Sequence, residues 1–259
     1  MQTTAERSAI RAEGQVVAYP GADVTVGSEV MGRIVLLPVK EKSVVRKGDV
    51  IALLDASENR AALAEARAHI AESAAELMAA DTDVTRAERL AATHAVSQQE
   101  LDHTRRDRDA AIARRDAAVA TVARLEATVA KARIVAPISG VVTARLVEPG
   151  EIVSPGTSLV TIADLSRTRI EAEVDEYDVG RIAIGTTAAV SAEGYGDRTW
   201  AGRVEEIPDA VVGRRLKPQD PGKPTDTRVL LVKIALSDRM PFKLGQRVEV
   251  AIGAPTTAD

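Results

Sequence analysis

The sequence predicts a mostly β protein interrupted by a long α-helical coiled-coil hairpin. Three observations carry that prediction. Residues 57–133 contain no Gly and no Pro, although the 259-residue chain holds 17 and 11 of them. The stretches on either side are rich in Val, Ile and Leu, are punctuated by Gly and Pro, and repeat each other. Aromatic residues make up 2% of the chain, so its core must be built from Val, Ile, Leu and Ala. Such a core suits small β modules and coiled coils better than an enzyme with a deep aromatic-lined pocket.

Taken in order, residues 15–19 (QVVAY) form a strand candidate closed by the turn signal Pro20-Gly21. Residues 23–55 read as several short strands, with Gly27, Gly32, Pro38 and Lys47-Gly48-Asp49 between them. At Ser57, a candidate N-cap, the period changes. Leu63, Ile70, Leu77 and Val84 recur every seven residues, and Ala66, Ser73, Ala80 and Ala87 follow each by three. This is an a/d seam of large against small side chains, which lets two helices approach closely. The pattern pauses at 91–96. Ser97 with Glu100 then reads as a capping box opening a return helix. That helix carries Leu101, Ile112, Val119, Val122, Leu125 and Val129, with Arg105-Arg106 and Arg114-Arg115 interrupting a less regular seam. Two nearly equal arms, 57–91 and 97–133, each about 50 Å long at 1.5 Å per residue, predict an antiparallel hairpin.

Strand character resumes at 134. Gly32-Arg-Ile-Val is followed sixteen residues later by Gly48-Asp-Val-Ile, and Gly140-Val-Val-Thr sixteen later by Gly156-Thr-Ser-Leu. A repeat of about 30 residues that cannot bury its own face should pack on its copy. The hairpin is then an insertion between two halves of one β sandwich. From 168 onward, Ile170, Ala172 and Val174 alternate with acidic residues. A short helix is expected at 176–182 and strands at 187–191, 199–207, 227–236 and 248–252. These predict a small barrel of four to six strands to which 15–19 adds. Residues 208–224, with four prolines and Arg214, Arg215, Lys217 and Lys223, read as a basic loop.

Several functions are disfavoured. A net charge of −4 with mixed signs gives no footprint for nucleic acid. The absence of cysteine removes disulfides, thiolate metal sites and a Cys nucleophile. There is no apolar run of membrane-spanning length, and residues 1–15 are polar and unlike a signal peptide. No phosphate loop, G-x-S-x-G or H-E-x-x-H occurs. His69, His94 and His103 lack a carboxylate cluster, and the four methionines are scattered. The expectation is no enzyme, no cofactor and no metal.

Residues 30–55 (VMGRIVLLPVKEKSVVRKGDVIALLD) and 134–164 (IVAPISGVVTARLVEPGEIVSPGTSLVTIAD) resemble the two halves of a biotinyl-lipoyl-like domain. With the inserted hairpin and the barrel, they resemble the membrane fusion proteins of the HlyD family. These are periplasmic adaptors of tripartite efflux pumps and type I secretion systems. The resemblance implies a lipoyl-like domain at 22–56 plus 134–164, a hairpin at 57–133, and a barrel at 10–21 plus 165–255. Adaptors that engage TolC-like outer-membrane channels carry an Arg, a Leu four residues on and a Ser seven later at the hairpin tip. Arg86, Leu90 and Ser97 stand at that spacing. Taken singly, these residues would be a solvated helix face, a seam position and an N-cap. The family also implies an inner-membrane transporter as partner and self-association into a ring, with a hexamer expected. The short ends lean towards an ABC transporter over an RND pump. Arg214, Arg215 and Lys217 are candidates for contact with the transporter or with lipid headgroups. The implied location is the periplasm. The native protein is expected to be held at the inner membrane by an anchor or signal that this chain lacks. Two alternatives stand beside this reading. One is a coiled-coil scaffold with no channel. The other is a biotin or lipoyl carrier domain, which the lack of a lysine at the turn between the halves disfavours.

Overall fold

The computed structural model describes residues 9–216, 227–237 and 241–253. The chain opens with β1 (Ile10–Ala18) and then lays down β2 (Asp23–Gly27), β3 (Gly32–Leu36), β4 (Val44–Val45) and β5 (Val50–Leu54). Helices α1 (Ser57–Ala92) and α2 (Gln98–Lys131) follow. After them come β6 (Arg133–Val135), β7 (Gly140–Arg145), β8 (Ile152–Val153) and β9 (Ser158–Ala163). The last part comprises β10 (Thr168–Asp175), a 3-10 turn at Glu176–Arg181, and β11 (Thr187–Ser191), β12 (Trp200–Glu206), β13 (Val212–Gly213), β14 (Arg228–Leu236) and β15 (Arg247–Ile252).

The two halves of the sequence repeat interleave. One four-stranded sheet runs β2-β9-β7-β4 and the other β6-β5-β3-β8. Exchanging each strand of the first half for its counterpart in the second converts one order into the other. Each half supplies one adjacent pair, β3–β5 or β7–β9, and the other half's remaining strands flank it, so the complete sandwich needs both. Its single core contains Ile34, Ile51 and Leu54 from the first half and Val142, Leu159 and Ile162 from the second. Full burial of each such side chain is worth roughly 1.5–3 kcal/mol. The repeated glycines have repeated causes. A Cβ on Gly140 would lie 2.5 Å from the Ala163 carbonyl oxygen, and one on Gly32 would lie 3.1 Å from Leu54 Cβ. Gly48 and Gly156 both turn at positive φ, 93° and 87°.

The hairpin enters and leaves the sandwich at adjacent strands, since β5 pairs with β6 and the Leu54 amide donates to the Ala132 carbonyl at 2.8 Å. Ser57 is the first helical residue rather than the N-cap. That position is Ala56, with no side-chain cap, and the Asp55 carboxylate accepts the Ser57 amide at 2.9 Å instead. The α1 seam follows the predicted heptad, with Leu63, Ser73, Val84 and Ala87 buried. In α2 the seam is regular but differently composed. Leu101, Ala111, Ala118 and Val122 are buried, while Val119 is 47% exposed. Arg108 and Arg115 fall on the same heptad and are only partly exposed, so their aliphatic stems cover seam that apolar side chains would fill. Interhelical pairs Arg67–Glu126, Arg105–Glu88 and Arg114–Glu76 flank it.

The last part closes into a barrel. β10 pairs with both β1 and β14, giving the ring β10-β1-β15-β11-β12-β14, with β13 added outside β14. β1 begins five residues before the predicted strand. Its inward residues Ile10, Ala12, Gly14 and Val16 alternate with Arg11, Glu13 and Gln15, but small Ala12 and Gly14 mute the period. They are small because β10 passes close: a Cβ on Gly14 would meet Ile170 Cγ2 at 2.9 Å.

Candidate functional site: the hairpin tip and the barrel loop

The helices are far longer than the sandwich needs, so their tip is held about 50 Å from it at 1.5 Å per residue. The tip ends in a Schellman arrangement. The Ala95 amide donates to Leu90 O at 2.9 Å, the His94 amide to Ala91 O at 3.0 Å, and Thr93 Oγ1 also donates to Leu90 O. His94 occupies the left-handed position, φ 56°, where glycine is usual. No glycine marks this turn, which is why pattern reading locates the pause at 91–96 but not its geometry. Ser97 is the N-cap of α2, its Oγ accepting the Glu100 amide at 3.2 Å.

The structure brings Arg86, Leu90 and Ser97 to this one end of the hairpin. Arg86 and Leu90 lie one turn apart on one face of α1. The Arg86 side chain is 69% exposed and pairs loosely with Asp83 at 3.2 Å. Leu90 is 41% exposed. The tip therefore offers a cation, an apolar side chain and a helix start in a backbone held by hydrogen bonds. That arrangement can recognise a groove between helices. It contains no nucleophile–base pair.

The basic loop is less open than its composition implies. Arg214 is turned inward, its side chain 5% exposed, and donates to Asp175 at 2.5 Å and to Thr227 Oγ1 at 2.8 Å. It offers no free cation to lipid or transporter, which corrects its place among the contact candidates. The Arg215 and Leu216 amides donate to the buried Glu173 carboxylate. The Arg215 side chain remains 64% exposed, and Lys217 lies outside the described residues. His69 pairs with Glu72 and His103 with Asp107. Among the described residues, no group of three or more His, Cys, Asp or Glu is placed to hold a metal ion. No helix there is long and apolar enough to cross a membrane.

The fold is a split sandwich bearing a long helical hairpin, joined to a closed barrel. Comparison with known proteins gives the family. The barrel-sandwich hybrid domain of RND membrane fusion proteins matches residues 22–165, more than half of the chain, which therefore belongs to that family of periplasmic adaptors. The nickel-cobalt-cadmium resistance protein NccB of Alcaligenes xylosoxydans xylosoxydans is 32% identical over 209 residues, 80% of this chain and 51% of that protein. The multidrug resistance protein MdtA of Photorhabdus laumondii is 32% identical over 165 residues, 61% of this chain and 40% of that one. The chain thus spans about half the length of these curated relatives. Among solved structures, the membrane fusion protein Spr0693 of Streptococcus pneumoniae R6 superposes with a TM-score of 0.71 at 17% identity, covering 95% of this chain and all of that one. MacA of Actinobacillus actinomycetemcomitans gives 0.69 at 22%, covering 95% and 80%. These two likenesses concern the fold. The members matched are adaptors, not enzymes. The RND family match points against the lean towards an ABC transporter. That lean rested on where the chain ends, and half the length of a relative carries no such information.

Proposed function

We propose that this chain is the periplasmic adaptor segment of an efflux assembly, joining an RND-type inner-membrane transporter to a TolC-like outer-membrane channel. The reading divides it into a lipoyl-like sandwich at 22–56 plus 134–164, a hairpin at 57–133 and a barrel at 10–21 plus 165–255. The sandwich serves as scaffold and no longer as a carrier, because the hairpin occupies the turn where a carrier bears its lysine. Six copies side by side make a ring, with the barrels towards the transporter and the hairpins towards the channel. Arg215 is the described residue of the basic loop left to meet the transporter.

One observation supports the reading: Arg86, Leu90 and Ser97 all lie at the far end of the hairpin. Leu90 would fill a groove between channel helices, while Arg86 and Ser97 hydrogen-bond its polar edge. A buried anchor of this kind contributes on the order of 2 kcal/mol or more at an interface. Leu90→Asp should therefore abolish export while leaving the protein folded and at normal abundance. Full export by Leu90→Asp and by Ser97→Arg would exclude docking through the tip.

A further inference from the structure

The chain reverses direction between α1 and α2 in the five residues 93–97. Four of them serve the hairpin itself. Thr93 Oγ1 donates to Leu90 O at 2.9 Å. Ala95 has only a methyl side chain, and its amide donates to Leu90 O at 2.9 Å. Val96 is half-buried. Ser97 Oγ accepts the Glu100 amide at 3.2 Å. The fifth, His94, is exposed, and among the described residues no hydrogen bond or ion pair engages its ring. The other two histidines differ. His69 Nδ1 lies 3.1 Å from the Glu72 carboxylate, and His103 Nδ1 lies 2.7 Å from that of Asp107.

The backbone gives this ring a fixed platform. The His94 amide donates to Ala91 O at 3.0 Å, inside the Schellman arrangement, and φ is 56°. Left-handed backbone favours glycine, with histidine and asparagine among the better tolerated of the other types. A turn chosen for hairpin stability alone would carry glycine at this position. The imidazole is therefore surplus to the fold, and it stands four residues after Leu90 and three before Ser97. An imidazole donates from one ring nitrogen and accepts at the other, or donates from both when charged. It adds a directional donor to a tip that otherwise offers an apolar side chain, a guanidinium and a hydroxyl.

We propose that His94 is a docking residue of the tip, donating a ring N–H to an acceptor oxygen of the outer-membrane channel. This rests on the reading of the tip given above. It requires two opposite effects of one substitution. His94→Gly relieves the backbone, so the urea midpoint should rise, and it removes the ring, so docking should weaken. Docking is read in cells with the complete adaptor beside its transporter, from a photoactivatable residue at the exposed position 92, which leaves Leu90 in place. Capture of the channel by His94→Gly should fall about threefold to tenfold at equal abundance, the factor expected for one lost hydrogen bond. His94→Asn keeps a donor near ring Nδ1 and His94→Gln one near Nε2, and one of the two should retain most of the parent's capture. Parental capture by His94→Gly would overturn the proposal and leave tip docking standing. Equal loss in all three variants would also overturn it, because docking would then not depend on a side-chain donor at this position. No capture by the parent would remove the tip reading and this proposal with it.

Discussion

At the scale of single residues, strain is stored at two positions among the described residues where a glycine is missing. Lys42 holds φ 69° and His94 φ 56°. Lys42 stands 108 residues before Gly150, which takes φ 94° at the equivalent point of the second half. A left-handed residue with a Cβ costs roughly 1–2 kcal/mol. Lys42→Gly and His94→Gly should each stabilise by about 1 kcal/mol net of glycine's greater chain entropy, read as an upward shift in urea midpoint. The opposite holds at Gly140, where Gly140→Ala must displace the Ala163 carbonyl and should cost about 2 kcal/mol or more. Acid sensitivity is also local. The hydroxyl and then the amide of Ser166 hold the Asp164 carboxyl below its ordinary value. A carboxyl depressed in the fold adds stability above its unfolded pKa, and that stability is lost as pH falls through the folded one. Asp164→Asn should therefore destabilise at pH 7, by well under about 1 kcal/mol at this solvent-screened site, and the gap to the parent should close as pH falls through the depressed folded value.

At the scale of elements, the hairpin is the most legible part, although Ser57 starts α1 rather than capping it and the α2 seam differs from the expected one. Absence of Gly and Pro gave its extent, and the seven-residue recurrence of Leu63, Ile70, Leu77 and Val84 gave the α1 seam. In α2, reading by apolar residues selects Ile112 and Val119, but the packed heptad runs through Ala111, Arg115 and Ala118. Long arginine stems take seam positions there, and no pattern that scores arginine as polar can find them. Replacing Arg108 and Arg115 by Leu should raise hairpin stability by about 1 kcal/mol or more, seen as slower amide exchange across both helices. The Arg86, Leu90 and Ser97 spacing was readable because the tip is local in sequence. The inward fold of Arg214 was not, because it depends on Asp175, 39 residues away in the chain.

At the scale of the molecule, the Gly–16–Gly repeat predicted that two halves pack together, and in each sheet a strand pair from one half lies between two strands of the other. The barrel's closure through β10 and β14 was only bounded in advance, because closure depends on long-range register and on a β1 masked by Ala12 and Gly14. The sandwich core draws on no helix residue, and the hairpin's ends are already neighbours. Replacing residues 58–131 with a short Gly/Ser linker should leave a cooperatively folding β protein that has lost export.

The central claim concerns the tip, and cross-linking in cells tests it most directly. A photoactivatable residue at position 90, in the complete adaptor beside its transporter, should capture the outer-membrane channel, while one at exposed Met78 on the hairpin flank should not. Capture at 78 with none at 90, alongside undiminished export, would contradict the account.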